Sequence, residues 1–240
     1  MNEIKAVLFD MDGTLLPMDQ KEFTGHYFGE LCKAVVPTGY IEAEKLVQLI
    51  WLGTKAMVKN DGSKRNVDVF WECFKDASQL DEAKVREIEG MCDRFYNNEF
   101  HRAKQSCGEN PLAVKAVEMA KRKGRKAVLA SNPVFPRVGQ LSRAGWVGLS
   151  ENDFCLVTAY ENQRFCKPNP KYYLDICENI GALPSECLMV GNDEREDAWA
   201  ASQAGLRCFL VTDCLIPCEE HTWEGKRGSF AELVQYLSEL

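Results

Sequence analysis

Three observations predict an α/β fold with a doubly wound parallel sheet and an inserted helical domain. Short apolar runs recur along the chain with helical stretches between them. The first run, Ile4 to Phe9, stops abruptly at two carboxylates and a glycine, Asp10-Met11-Asp12-Gly13. A long stretch from about Pro17 to Lys104 then breaks the alternation with helical patterns and no clear strand.

The first run reads as a buried strand: it is short, continuous and contains Val7 and Phe9. The end of such a strand is where an open α/β sheet places its ligands. Asp10 and Asp12, two apart in extended chain, face the same small volume, and Gly13 lets the chain turn away. An aspartate pair of this kind can simply cap a turn. Like charges held this close are costly, however, unless a cation or a reaction uses them. A metal-assisted carboxylate site is therefore the first hypothesis, to be decided by partners further along.

The span after Pro17 carries amphipathic patterns such as Ala43, Leu46, Val47 and Ile50, and many aromatics, including Trp51, Phe70, Trp71, Phe74, Phe95 and Tyr96. The aromatics are expected to form the small domain's own core. Residues 18–104 are assigned to a helical cap domain, and residues 1–17 and 105–240 to a discontinuous α/β core. Following directly on the first strand, the cap is expected to cover the aspartates and to open and close over them. Residues 55–66, with an Asn60-Asp61-Gly62 turn, are expected to face the site.

Further strands are expected at Lys126 to Ala130, Phe154 to Val157, Cys187 to Val190 and Cys208 to Val211. Asn110 and Pro111 open a helix with an apolar stripe at Leu112, Ala113, Ala116, Val117 and Ala120. The basic run Lys121 to Lys126 ends that helix and suits its dipole rather than a nucleic acid. Tyr173, Leu174, Cys177 and Ile180 form a helix stopped by Gly181. Ala198, Ala201 and Ala204 form another, stopped by Gly205. Ser229 and Glu232 make a capping box for the last helix.

Composition narrows the function. The 240 residues are 45% hydrophobic and 27% charged, as in an ordinary globular protein. With 29 Lys and Arg against 36 Asp and Glu, the net charge of −7 argues against a nucleic-acid scaffold. No stretch is apolar enough to span a membrane, and no secretory pattern is evident, so a cytoplasmic protein is expected. Eleven cysteines without a C-x-x-C pair fit reduced thiols. Cys214, Cys218 and His221 lack a fourth ligand for zinc and read as a solvated loop. P-loop, G-x-G-x-x-G and H-E-x-x-H patterns are absent.

Three later segments supply what an aspartate pair needs. Ser131 and Asn132 end the second strand. Lys167 follows the third, between Cys166 and two prolines that restrain the backbone. The fourth strand runs into Gly191-Asn192-Asp193, with Asp197 four residues beyond Asp193 on one face of a starting helix. Each alone has an ordinary use as a cap, a solvated charge or a partner of the helix dipole. Together, each at a strand end and in this order, they indicate one site.

This order resembles the haloacid dehalogenase-like (HAD) superfamily of hydrolases, whose core is Rossmann-like and which often carries a cap after the first motif. The resemblance implies a phosphatase acting on a small phosphorylated molecule with Mg2+ as cofactor. Asp10 would be the nucleophile, Asp12 the acid and base, and Ser131 and Lys167 the groups that hold the phosphoryl oxygens. Gly13, Thr14 and Asn132 would help bind substrate. Asp10, Asp193 and the carbonyl of Asp12 would hold the metal, with Asn192 and Asp197 behind them. Many members have an acidic residue where this chain has Asn192; Asp193 is the natural replacement, with Asp197 left open as the alternative metal ligand.

Asp12 argues against dehalogenation, which makes no alkoxide needing a proton. A phosphomutase would share all four motifs. A phosphonate-cleaving relative would need a cap lysine, for which Lys55, Lys59 and Lys64 are available. A non-catalytic phosphometabolite-binding protein would more naturally have lost Asp10 or Asp12. No obligate protein partner is evident.

Overall fold

The computed structural model describes residues 3–240. Six parallel strands form one sheet: β1 (Ala6–Phe9), β2 (Lys126–Leu129), β3 (Leu156–Val157), β4 (Cys187–Gly191), β5 (Arg207–Val211) and β6 (Arg227–Gly228). Their order across the sheet is β3-β2-β1-β4-β5-β6. The two-residue β6 beside β5 is an edge that the sequence pattern does not predict.

Alternation of side chains divides the interior in two. Val7, Phe9, Leu129, Val190 and Phe209 belong to one apolar cluster, and Ala6, Leu8, Val128, Met189 and Leu210 to the other. Helices α5 (Ala113–Lys121) and α9 (Phe230–Glu239) pack together on the first face, with α6 (Arg137–Trp146). On the second face lie α7 (Pro170–Ile180) and the short α8 (Ala200–Gln203). Asn169 accepts from the amide of Lys171 at 3.0 Å and caps α7, while Gly181 ends it at φ +64°.

The chain leaves β1 for β2 on one side and later returns to build β4 on the other. That reversal opens a crevice beyond the carboxyl ends of β1 and β4. Asp10 and the Gly191–Asp197 segment meet there.

Between β1 and β2 the described residues are helical, apart from connections: α1 (Gln20–Val35), α2 (Ala43–Val58), α3 (Asn66–Ser78), α4 (Glu82–Asn98) and a 3-10 segment, Phe100–Ser106. Asp19 and Asp81 cap α1 and α4 through side-chain oxygens. The connections into and out of this insertion run side by side. Met18 bridges Cys107, and the Gly108 amide donates to Pro17 O at 2.7 Å.

The aromatics of the insertion pack on one another, as Phe70, Trp71 and Phe74 do and as Phe95 does with Tyr27, Tyr96 and Phe100, and also continue into the α/β body. Phe23, Tyr27, Tyr96 and Phe100 pack against Phe135, and Phe23 and Phe100 also reach Trp146 of α6. These residues belong to one apolar cluster with the first face of the sheet. Helices α1 and α4 and the 3-10 segment are thus fused to the α/β body. Helices α2 and α3 pack on each other, and the start of α3 meets the body, the Val67 amide donating to Tyr160 O at 2.9 Å and Phe70 contacting the Tyr160 ring.

Candidate active site

Asp10 follows β1 directly, its amide bonded to Val190 O at 2.9 Å. It is 7% exposed. Lys167, also buried, bridges two carboxylates: its Nζ lies 2.8 Å from Asp10 Oδ1 and 2.7 Å from Asp197 Oδ1. Burial pulls the Lys167 ammonium down, but Asp10 and Asp197 more than offset this and hold its pKa well above the ordinary value. Burial raises the Asp10 carboxyl to about 7; Lys167 opposes the rise, while Asp197 and Asp12 add to it.

The sequence leaves open whether Asp193 or Asp197 would be a metal ligand, and the two carboxylates are held differently. Asp197 spends both oxygens inside the protein. Its Oδ1 takes Lys167, and its Oδ2 accepts from the amides of Asn192 and Asp193, each at 3.0 Å. Asp193 uses Oδ1 to accept from the amides of Arg195 and Glu196 at 2.8 and 2.7 Å. No described hydrogen bond falls on its Oδ2. The expected regular helix begins instead as a π-helical turn, Glu194–Trp199, and the wide turn carries Asp197 back over the β4 loop.

Gly13 and Thr14, expected at the substrate, have their donors committed elsewhere. The Gly13 amide bonds Leu16 O at 2.8 Å, and Thr14 Oγ1 donates to Asn192 Oδ1 at 2.9 Å. The Asn192 amide group also donates to Cys214 O at 2.7 Å, tying three loops together. These residues shape the loop that carries Asp12.

Ser131 is buried beside Asp10 on the adjoining strand end, where the preceding amide of Ala130 bonds Phe9 O. Its carbonyl is fixed by Thr158 Oγ1 at 2.8 Å and Tyr172 Oη at 2.9 Å. Asn132 donates to Glu196 Oε2 at 3.0 Å, and its own Oδ1 is buried without a partner. Glu196 is raised to about 7, by burial first, against the pull of Lys167.

The sequence reading missed Arg143. Its side chain is 0% exposed and its guanidinium pairs with Asp12 Oδ2. Nη2 is bonded to Gln140, Nε donates to Gly139 O at 3.3 Å, and the guanidinium carbon lies 4.3 Å from the Phe135 ring centroid. Asp12 Oδ1 is buried with no hydrogen-bond partner. No motif spacing marks Arg143. Its only trace is a polar pair, Gln140 and Arg143, at helical spacing and both wholly buried.

Of residues 55–66, expected to face the site, Asn66 reaches the α/β body. Asn66 bonds Gln163 O through its amide at 2.9 Å and Cys166 Sγ through its side chain at 3.2 Å. Lys64 pairs with Glu72, and Lys55 and Lys59 are exposed. His221 stacks on Trp199 with centroids 4.3 Å apart, and no metal-holding group of three or more His, Cys, Asp or Glu occurs among the described residues. No described helix is long and apolar enough to cross a membrane.

A hard cation remains compatible with the crevice. Its donors would be two carboxylates, Asp10 and Asp193, and one backbone carbonyl, with other positions left to water and phosphate as Mg2+ prefers. Burial raises the Asp10 carboxyl, and the neighbouring carboxylates Asp197 and Asp12 add to the rise against Lys167, so the crevice favours added positive charge.

A doubly wound sheet with a buried Asp–Lys–Asp bridge at its switch point defines a hydrolase of a particular kind. The chain belongs to the haloacid dehalogenase-like hydrolases, whose family model matches residues 4–205. YhcW of Bacillus subtilis (strain 168), named as a phosphatase, is 25% identical over 214 residues, 87% of this chain and 83% of that one. A HAD phosphatase structure from Thermococcus onnurineus shares the fold at TM-score 0.60 and 20% identity, covering 98% of each chain. So does a 2-haloacid dehalogenase from Pseudomonas syringae pv. Tomato, at TM-score 0.63 and 19% identity, covering 98% of this chain and 99% of that one. The fold is thus common to both chemistries.

Proposed function

We propose that this hydrolase is a magnesium-dependent phosphatase that cleaves a small-molecule phosphate monoester through an aspartyl-phosphate on Asp10. The observation that carries the reading is the pairing of two differently held aspartates. Asp10 contacts the phosphoryl-binding lysine, whereas Asp12, two residues on, is gripped on one oxygen and unpartnered on the other. A dehalogenase has no use for that second carboxyl, since a departing halide takes no proton.

An Asp10 oxygen attacks phosphorus as the bond to the ester oxygen breaks. Asp12 gives that oxygen its proton through Oδ1 while Arg143 fixes Oδ2. Asp12 then takes a proton from water, whose oxygen attacks phosphorus and releases Asp10. Lys167 and Ser131 hold the phosphoryl oxygens, with Asp197 keeping the ammonium in place. Asp10, Asp193 and the Asp12 carbonyl would hold Mg2+, which when bound shields the phosphate dianion from the carboxylates. The α2–α3 side of the insertion would open to admit substrate and close to exclude water. Cytoplasmic location and independence of a protein partner complete the reading.

Release of phosphate from 4-nitrophenyl phosphate, with and without Mg2+, tests it. Activity that requires Mg2+ and disappears with chelator is expected. Full activity in excess chelator, or chloride release from 2-chloropropionate without phosphatase activity, contradicts it.

A further inference from the structure

We infer, resting on the phosphatase reading, that the substrate is a phosphate ester of a neutral, largely apolar alcohol, one bearing an aromatic ring or a medium-length alkyl chain. A cavity of about 320 Å³ runs from Asp12 and Asn132 at the crevice up between α1, α2, α3 and α4. The size suits a small organic group, and its place leads such a group straight from the phosphoryl position.

The lining is what identifies the occupant. Far from the crevice it consists of Phe28, Leu31, Ile50, Trp51 and Val58, with Phe70 and Trp71 alongside. The polar groups of that wall are neutral: the hydroxyls of Thr24 and Thr54, which donate to Gln20 O at 2.6 Å and Ile50 O at 2.9 Å, the Gln20 amide, and Trp71 Nε1. Trp71 Nε1 is a buried donor without a partner among the described residues, and leaves room for one acceptor on an otherwise apolar body. The tyrosine hydroxyls of Tyr27 and Tyr96 bond each other at 2.8 Å. A sugar or polyol would bury several hydroxyls against a wall with few free partners, at a cost for each.

Charge narrows the class further. The two charged lining residues, Asp12 and Glu196, are both acidic and both lie at the crevice end, and the lining contains neither Lys nor Arg. A second phosphate or a carboxylate on the alcohol would meet no cation. A cationic alcohol would have to place its charge deep among the apolar residues, away from both carboxylates. A neutral apolar body meets neither obstacle and gains the burial energy of its carbons.

The test holds leaving-group acidity nearly constant by using alkyl esters: ethyl, butyl, hexyl and 3-phenylpropyl phosphate against glycerol phosphate, glucose 6-phosphate and phosphocholine. The expected result is kcat/KM rising about fourfold per methylene from ethyl to hexyl, with 3-phenylpropyl phosphate favoured over glycerol phosphate by on the order of a hundredfold. Thr54→Phe, which fills the cavity, should collapse that ratio. Val58→Phe serves the same purpose at a position already 38% exposed, where folding is not at stake. Turnover with a flat series, or with preference for the polyol, cationic or sugar esters, overturns the inference but leaves the phosphatase reading standing. Turnover of no ester overturns the phosphatase reading. The cavity is then tested by titrating 3-phenylpropanol against glycerol while following fluorescence of Trp51 and Trp71. Saturable change with the former alone supports an apolar ligand, and no change overturns it.

Discussion

The guanidinium of Arg143, wholly buried in α6, is paired with Asp12, the second carboxylate of the loop that follows β1. The pair joins residues 131 positions apart. Gln140, Gly139 O and the Phe135 ring fix the guanidinium in turn. A bidentate or stacked arginine of this sort is not replaced by lysine without loss.

Arg143→Lys should therefore impair the proton transfer assigned to Asp12. A loss in kcat/KM, which reports transfer to Asp10 ahead of the shared hydrolysis step, on the order of a hundredfold is expected for alkyl esters, whose leaving oxygen needs a proton. The loss in kcat/KM should be much smaller for 4-nitrophenyl phosphate, whose leaving group does not. Equal losses on both would mean that Arg143 supports the fold and has no part in placing the acid.

Lys167→Met should destabilise the protein as well as inactivate it. It leaves Asp10 and Asp197 buried without the ammonium between them. Removing one partner of such a buried arrangement costs about 3–5 kcal/mol, read as a lowered denaturation midpoint in urea. Added Mg2+ should recover part of the loss. A midpoint unchanged from the parent would contradict the burial of this bridge.

Gly13→Ala should abolish activity through the loop. A Cβ there would sit 2.3 Å from Asn192 Nδ2, on a backbone with φ +88° that suits glycine. Gly13→Ala with Asn192→Ala removes the collision but keeps the strained φ. The double variant should be more stable than Gly13→Ala alone. If it is less stable by the sum of the two single effects, the contact is not what makes the glycine necessary.

Acid should loosen the 214–227 segment. Glu194 is buried and accepts from the amides of Cys218 and Trp223 and from Arg227 Nη2 at 2.9, 3.2 and 2.8 Å. Burial raises its carboxyl, but these donors outweigh burial and hold it below the usual range. A depressed carboxylate stabilises above its unfolded pKa of about 4.3, and that contribution fades as pH falls through the lower folded value. Glu194→Gln should speed amide exchange in 214–227 at pH 7 and flatten its acceleration below pH 5. Unchanged exchange at pH 7 would count against this anchoring.

The fold and most of the site were legible because the relevant signals are local. Apolar runs ending in Asp10, Ser131 and Asp193 mark strand ends, and the order of those ends indicates a switch point. The two-residue β6 carries too little pattern to be seen. Arg143 and Glu196 owe their places to tertiary packing: one lies on a helix with no motif, the other on a π-helical turn that shifts the expected helical spacing. The insertion's aromatics reveal burial but not which body they join, since Phe23 or Phe100 packs equally well against its own helices or against Phe135 and Trp146. Thr14 looks like a ligand contact in sequence because its pairing with Asn192 spans 178 positions.

The most direct test of the central claim is mass spectrometry of Asp12→Asn protein, exposed to substrate and Mg2+ and then quenched in acid. With Asp10 intact and the water-activating carboxyl removed, a phosphoryl adduct should accumulate and map to Asp10. Asp10→Asn treated in the same way should carry none. An adduct on any other residue, or the same adduct in Asp10→Asn, would contradict the assignment of Asp10 as the nucleophile.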